Sequence, residues 1–398
     1  MAEHVTIAAL MQRGVLTMGD GYRTKRSEHG RPGHRIVRVA DVRDGNVFLD
    51  GDDFVSDEYT PQMGAKVAIP GDVLLTTKGT VGRVAVMPVT DEPAVYSPQL
   101  CYFRIIDRSV LDPGYLRYWF GSQEFLAQAS FLQGNTDMAP YISLSDLRAA
   151  TITLPSLPEQ TSIAAVLGVL DDKIAANTRL ALTADELARS IYTQRASGSA
   201  VRPMNEVLTP ILGGTPARST AEFWGGSRLW ISAKDVTGAG QRLVLDTEEK
   251  ITDRAVESTK AKPLSKGSVI LTARGTVGAV ARLGEPASFN QSCYGFEPDV
   301  LPAGVLYFAI LGATEQAKAM AHGSVFDTIT MATFRHLSLP VLSSEDANAL
   351  EARLAPHLSV VESVSRENRT LAALRDTLLP QLMSGKLRVR EAAEMAGL

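Results

Sequence analysis

Eight lysines or arginines stand between Gln12 and Arg43 (Arg13, Arg23, Lys25, Arg26, Arg31, Arg35, Arg38, Arg43) against three acids. Cations at that density can hold a polyanion such as nucleic acid; the plain alternative is a solvated basic loop. Other residue types that could do chemistry lack partners at a workable spacing. The six histidines (His4, His29, His34, His322, His336, His357) are scattered, with no HExxH and no Cys/His spacing for zinc, so no metal site is expected. GTVG occurs at 79–82 and 275–278 between β-like runs, where a tight hairpin turn explains the glycines better than a phosphate cradle. No GxxxxGK[ST] loop exists.

Asp112-Pro113-Gly114-Tyr115 is similar to the DPPY-type motif of amino-methyltransferases, but the second proline is missing and no glycine-rich cofactor loop precedes it. No acid pair recurs with the lysine spacing of a nuclease. No catalytic residue is assigned, and the chain is expected not to be an enzyme by itself.

Composition places these residues on an ordinary globular chain of 398 residues, 45% hydrophobic and 21% charged. That excludes a disordered, collagen-like or disulfide-scaffold protein. With 40 Lys plus Arg against 44 Asp plus Glu the net charge is −4, so any nucleic-acid surface must be localised. Two cysteines fit a reducing compartment, and the longest apolar run, around 162–170, is far short of the ~20 residues of a membrane span. Cytoplasmic localisation without membrane contact is the expectation.

The chain is written twice. GDVLLTTKGTVGRVAVM (71–87) aligns with GSVILTARGTVGAVARL (267–283) at ten identical positions of seventeen. Gln99-Leu100-Cys101-Tyr102 matches Gln291-Ser292-Cys293-Tyr294, which sets the two cysteines at equivalent places as buried small hydrophobes. DPGY has no such match: its duplicate, around 301–306, lacks the Asp and the Tyr. Each copy runs in the same order: short β-like segments with turn signals, a short helical stretch (115–130; 305–321), a Leu-Pro boundary and a long helix. The expected class is α+β, two similar mixed domains related by a pseudo-two-fold repeat.

The long helices carry the clearest periodicity. Ile163, Leu167, Leu170, Ile174, Asn177, Ala181, Ala184, Ala188 and Ile191 alternate in steps of four and three. A shift of 187 gives Leu350, Leu354, His357, Val361, Val364, Asn368, Leu371, Arg375 and Leu378. Seams of four heptads predict two helices packed on each other as an antiparallel coiled coil; the alternative lays each separately on its own domain. Pro380 is expected to end or kink the second helix. Leu180, Leu187 and Leu374 flank the seam and call for cover by a partner.

LPSLPEQTSIAAVLGVLDDKIAANTRL (154–180) resembles the LPxLxEQxxIxxxLxxLDxKIxxNxxL sequence that opens the central helix of type I restriction–modification specificity subunits. LRDTLLPQLMSGKLRV (374–389) is similar to the end of their second helix, and LLTTKGTVG and ILTARGTVG to a motif inside their target recognition domains. The resemblance implies target recognition domains at 1–157 and 201–342 and spacer helices at 158–200 and 343–398. The second helix departs from it, opening with SSEDANALEARL in place of a PxxEQ start, which leaves open how that helix joins its domain.

The resemblance further implies a specificity subunit that reads an asymmetric bipartite site on double-stranded DNA. It would dock two methyltransferase subunits that carry S-adenosylmethionine and methylate adenine N6. Translocase–nuclease restriction subunits would add cleavage, and this chain would hold no cofactor. The rival reading is a stand-alone DNA-binding or scaffold protein without methyltransferase partners. A helix from about 159 to 195 is roughly 55 Å long at ~1.5 Å per residue, which limits half-site centres to roughly 16 bp apart. Because phosphate and base-edge contacts both favour Arg and Lys, the DNA-contact candidates are Arg23, Lys25, Arg26, Lys78 and Arg83 in the first copy. In the second copy the candidates are Arg218, Lys234 and Arg274, of which Arg274 shares a repeat position with Lys78.

Overall fold

The computed structural model describes residues 3–43, 45–133, 141–320 and 328–397. It separates into two compact units, one of residues 1–173 and 371–398, the other of residues 174–370.

In the first unit a four-stranded antiparallel sheet runs in the order Leu16–Asp20, Leu100–Ile105, Val73–Thr76, Val84–Val86. A three-stranded sheet places Gly33–Val37 between Phe54–Ser56 and, in parallel, Ala94–Tyr96. The second unit repeats the plan. Ile211–Leu212, Cys293–Phe296, Val269–Thr272 and Val280–Leu283 lie antiparallel, with Leu243–Val244 added in parallel at the edge. Trp224–Ile231 likewise sits between Glu249–Ile251 and a parallel Ala287–Phe289.

At the cysteines, matching QLCY to QSCY by identity is one residue out of register with the repeat built in space, although the GTVG segments align as expected. Thr76 pairs with Leu100, whereas Thr272 pairs with Cys293, so the counterpart of Cys293 is Leu100 and not Cys101. A slip of one residue turns every strand side chain to the opposite face. Cys101 therefore joins the aromatic core that packs on the long helices, and Cys293 joins the core on the other face of its sheet. Both thiols are buried and unpaired, and burial pushes Cys293 up to about 12. The expectation of equivalent cysteines is thereby corrected, while that of burial holds.

The long helices are Leu157–Ala196 and Ser344–Met383. In the first unit Ile163, Leu167, Leu170, Leu378 and the half-buried Leu371 pack around Trp119, Phe120 and Phe125. In the second, Leu350 and Leu354 share a core with Ala188 and Tyr192, while Val361 and Val364 meet Ala181 and Ala184. Ile174, Ile191 and Asn368 are half-buried, and Asn177 is buried. Partners run in opposite directions in the second unit, Asn177 with Glu367 and Arg195 with Asp346, and in the first Asp171 pairs with Arg375. Pro380 neither ends nor interrupts its helix, which continues to Met383, and Pro356 also lies inside it. A proline removes one backbone bond, and the packed apolar face on both sides outweighs that loss.

The short helical stretch of the first copy is two helices, Pro113–Trp119 and Gln123–Gln133, broken at Gly121-Ser122. Its counterpart is a single helix, Ala303–Met320. Asp112 caps the first of these, accepting from the Tyr115 amide at 2.9 Å, while the buried Tyr115 hydroxyl donates to the Thr153 carbonyl at 2.7 Å. The DPGY residues thus form a helix start facing the core.

The two helix openings differ for a physical reason. Gln160 of the first is 1% exposed and has three backbone partners. Its Nε2 donates to the carbonyls of Val110 and Pro155, and its Oε1 accepts from the Asp112 amide. The second helix lacks this glutamine, and one turn further along Glu351 accepts from the amides of Gly304 and Val305 at 2.9 and 3.0 Å. A carboxylate on the first amides of Ala303–Met320 joins helix to domain without the PxxEQ start.

Within the second unit Asn368 Nδ2 donates to the Ile174 carbonyl and to Thr178 Oγ1, both at 3.2 Å, and its Oδ1 is buried with no partner among the described residues. A polar layer of this kind fixes register at a cost in stability. Replacing Asn177 and Asn368 together by Leu should raise the thermal midpoint by a few degrees, read by calorimetry; a fall would show that the layer holds the pair together.

Candidate nucleic-acid interface

Among the described residues no group of His, Cys, Asp or Glu could hold a metal ion, and no helix is long and apolar enough to cross a membrane. The charged loops at the strand ends of the first unit offer the best-formed site.

The loop after Leu16–Asp20 starts at Gly21, whose amide donates to the Leu100 carbonyl, and the next amide, of Tyr22, donates to the Tyr96 carbonyl at 2.7 Å. Backbone passes so close here that a Cβ on Gly21 would lie 2.1 Å from the Ser97 carbonyl oxygen. Glycine is the one residue that fits. Gly213 repeats the arrangement in the second unit, where a Cβ would meet the Asn290 carbonyl oxygen at 2.2 Å. Beyond Gly21 the chain presents Arg23, Lys25 and Arg26 to solvent, then closes on Glu28, which is buried and accepts from the Lys25 amide at 3.0 Å.

The GTVG segments are wider turns than a tight hairpin. Thr76 clamps the first: its hydroxyl donates to the Thr80 carbonyl at 2.5 Å and accepts from the Arg83 amide at 2.9 Å. Thr272 does the same with Thr276 and Ala279. Lys78 and Arg274 are exposed at the same place on these turns. The Lys78 ammonium lies 4.8 Å from the centre of the Tyr141 ring.

Of the eight cations between Gln12 and Arg43, five are ion-paired: Arg13 with Glu3, Arg31 with Asp52, Arg35 with Glu92, Arg38 with Asp53 and Arg43 with Asp50. Arg23, Lys25 and Arg26 have no ion-pair partner among the described residues, nor do Lys78 and Arg83. Arg83 does place one Nη 3.3 Å from the Val42 carbonyl. Arg23, Arg38, Lys78, Arg83 and Gln99 line one open cleft of about 950 Å³. The first unit thus gathers three of its five candidates in a single cleft, with Lys25 and Arg26 on the same loop as Arg23. In the sequence Arg38 is one of eight cations in the basic run and Gln99 a repeated position that turn capping explains equally well, and neither is singled out as a DNA contact. Position on the strand-end loops is the signal that selects them, and it is not visible before the sheet is built.

The second unit differs. Both Nη atoms of Arg218 are held by the Glu249 carboxylate, and its guanidinium lies 3.9 Å from the centre of the Trp224 ring. Hydrogen bonding to Glu249 holds Arg218 above its ordinary value, and the same contact holds the Glu249 carboxyl below the usual carboxylate range. Lys234 donates to Glu248 at 2.6 Å and is likewise held up by it. The structure therefore places Arg218 and Lys234 in ion pairs, and Arg274 alone of these three candidates has no ion-pair partner among the described residues.

Residues 15–183 and 197–349 each match the family model described as the type I restriction modification DNA specificity domain. The chain is 28% identical over 162 residues to the type I restriction enzyme MjaIX specificity subunit of Methanocaldococcus jannaschii, covering 40% of this chain and 38% of that protein. It is 24% identical over 194 residues to the HindI specificity subunit of Haemophilus influenzae, covering 48% and 42%. These matches span about two-fifths of the relatives' lengths, 38% and 42%. The crystal structure of the type I restriction-modification system S subunit from M. genitalium shares the fold, with a TM-score of 0.56 over 96% of each chain at 15% identity. With both of its repeats matched to that one domain, this chain belongs to the type I restriction modification DNA specificity family.

Proposed function

We propose that this protein is the DNA-reading specificity subunit of a type I restriction–modification complex. The observation that carries the reading is the cleft of the first unit, where Arg23, Lys78 and Arg83 converge without ion-pair partners among the described residues while most neighbouring arginines are neutralised. Duplex DNA is the polyanion that such a strand-end cleft suits. Residues 1–157 and 201–342 serve as two recognition domains for an asymmetric bipartite site, spaced by helices at 158–200 and 343–398. The helices dock two methyltransferase subunits, which carry S-adenosylmethionine and methylate adenine N6, together with restriction subunits where the system cleaves. Exposed Leu180 and Leu187 support a partner surface on the second unit. The chain itself is non-catalytic, holds no cofactor, does not touch a membrane and works in the cytoplasm.

Salt titration of binding to duplex DNA tests this reading. Each phosphate contact contributes about 0.9 to the slope of log affinity against log salt. Replacing Arg23, Lys25 and Arg26 together by Ala should flatten that slope by about 2 to 3 and weaken all sequences alike. Wild-type chain with no salt-dependent DNA affinity would overturn the reading. Methylome sequencing of cells co-expressing the chain with a type I methyltransferase subunit should then show a bipartite motif with N6-methyladenine.

A further inference from the structure

The groups lining the cleft fall into two electrostatic kinds. Arg23, Lys78 and Arg83 carry charge with no ion-pair partner among the described residues. Arg38 and Asp53 are neutral only as a pair, one Arg38 Nη lying 2.5 Å from an Asp53 carboxylate oxygen, and Gln99 is neutral by nature. We propose that Arg38, held by Asp53, and Gln99 read base edges in the half-site of the first unit, with Arg38 reading a guanine, while the unpaired cations bind phosphate. This inference rests on the DNA-reading function proposed above.

Three observations converge on it. First, a carboxylate beside a cation is a poor neighbour for a phosphate, because it repels the anion and removes the counterion-release gain that makes phosphate contacts favourable. The same carboxylate leaves directional donors in place. A guanidinium tied at one nitrogen keeps its other N–H groups for guanine O6 and N7 and has less orientational freedom to lose on binding. Second, both partners of this pair are fixed from behind. The Arg38 amide donates to Asp41 Oδ2 at 2.7 Å, and the Asp53 carbonyl accepts from the Ile36 amide at 2.9 Å. Third, the Gln99 side chain is exposed, while its carbonyl accepts from both the amide and the hydroxyl of Thr77, at 2.9 and 3.1 Å. An amide on a braced backbone offers the donor–acceptor pair that matches adenine N6 and N7.

The second unit is built differently at this place. In the spatial register the counterpart of Gln99 is Ser292, and Gln291 accepts a hydrogen bond from Thr215. Two half-sites read by unlike groups would be unlike in sequence.

Selection from a pool of randomised duplex DNA by the full-length chain, followed by salt titration of the selected site, separates the two kinds of residue. For Arg38→Ala and for Gln99→Ala we expect discrimination at one base position of one half-site to fall about 10- to 100-fold, with the salt slope unchanged. For Lys78→Ala we expect an unchanged motif and a slope lower by about 0.9. Both readers are exposed, and thermal melting of each variant checks that the fold is intact. If Arg38→Ala and Gln99→Ala weaken every sequence equally and flatten the slope, they are phosphate contacts and the inference fails. If their selected motif equals that of the wild type, it fails as well. A wild-type chain that binds no duplex at any salt concentration overturns the DNA-reading function itself.

Discussion

Asp72→Ala should unfold the first unit at markedly lower temperature. Asp72 is 1% exposed and accepts from Arg104 Nε and Nη2 at 2.9 and 2.7 Å, from the Tyr96 hydroxyl at 2.8 Å and from the Ile69 amide at 3.1 Å. These contacts hold Arg104 above its ordinary value, while burial and the adjacent carboxylate push the Tyr96 phenol strongly up. Removing the carboxylate strands a guanidinium that is largely shielded from water, a change that costs about 3–5 kcal/mol. At about 2–4 °C per kcal/mol for a domain of this size, the midpoint should drop by about 6–20 °C in calorimetry. The second unit shows how the loss can be compensated. At the place of Asp72 it has Ser268, which is fully buried, and at the place of Tyr96 it has Phe289. Asp72→Ser combined with Arg104→Leu should therefore recover much of the loss, because no charge is left unpaired. A double variant no more stable than Asp72→Ala would show that the pair is not the source of the effect.

Gly21→Ala is the second substitution with a large expected effect, and it acts on binding more than on folding. Its Cβ would sit 2.1 and 2.2 Å from the carbonyl oxygens of Ser97 and Tyr96, both backbone atoms that cannot swing aside as a side chain can. The loop must lift, and the bond from the Tyr22 amide to the Tyr96 carbonyl goes with it. Overpacking of this kind costs about 1–3 kcal/mol. The larger consequence is displacement of Arg23, Lys25 and Arg26, so DNA affinity should fall at least as far as in the triple alanine variant. Gly213→Ala should leave the first half-site intact. Binding of Gly21→Ala that equals wild type would show that this loop does not contact DNA.

The architecture was legible in the sequence because its two strongest signals have a physical period. Steps of four and three along 163–191 and 350–378 allow one amphipathic packing, and a duplicated GTVG segment implies a duplicated turn. Charge partners were not legible. Arg218 and Lys234 read as free cations until the fold sets Glu249 and Glu248 beside them, because ion pairs join residues distant in sequence. The cysteines mislead for a sharper reason. Matching QLCY to QSCY by identity aligns letters, whereas the ladder aligns Leu100 with Cys293, and identity has no access to which face a residue occupies. Pro380 misleads because a local rule gives way to tertiary packing on both sides of it.

The turns closed by Thr76 and Thr272 are held by a hydroxyl and by backbone groups of the turn itself. Nothing in that closure depends on the side chain at position 78 or 274. Shape and content are thereby decoupled: the segment is a mount on which an exchanged residue alters what is shown to a ligand and leaves the mount as it was. A positive charge can therefore be removed, or swapped between lysine and arginine, at 78 and 274 without touching the two bonds that hold each turn.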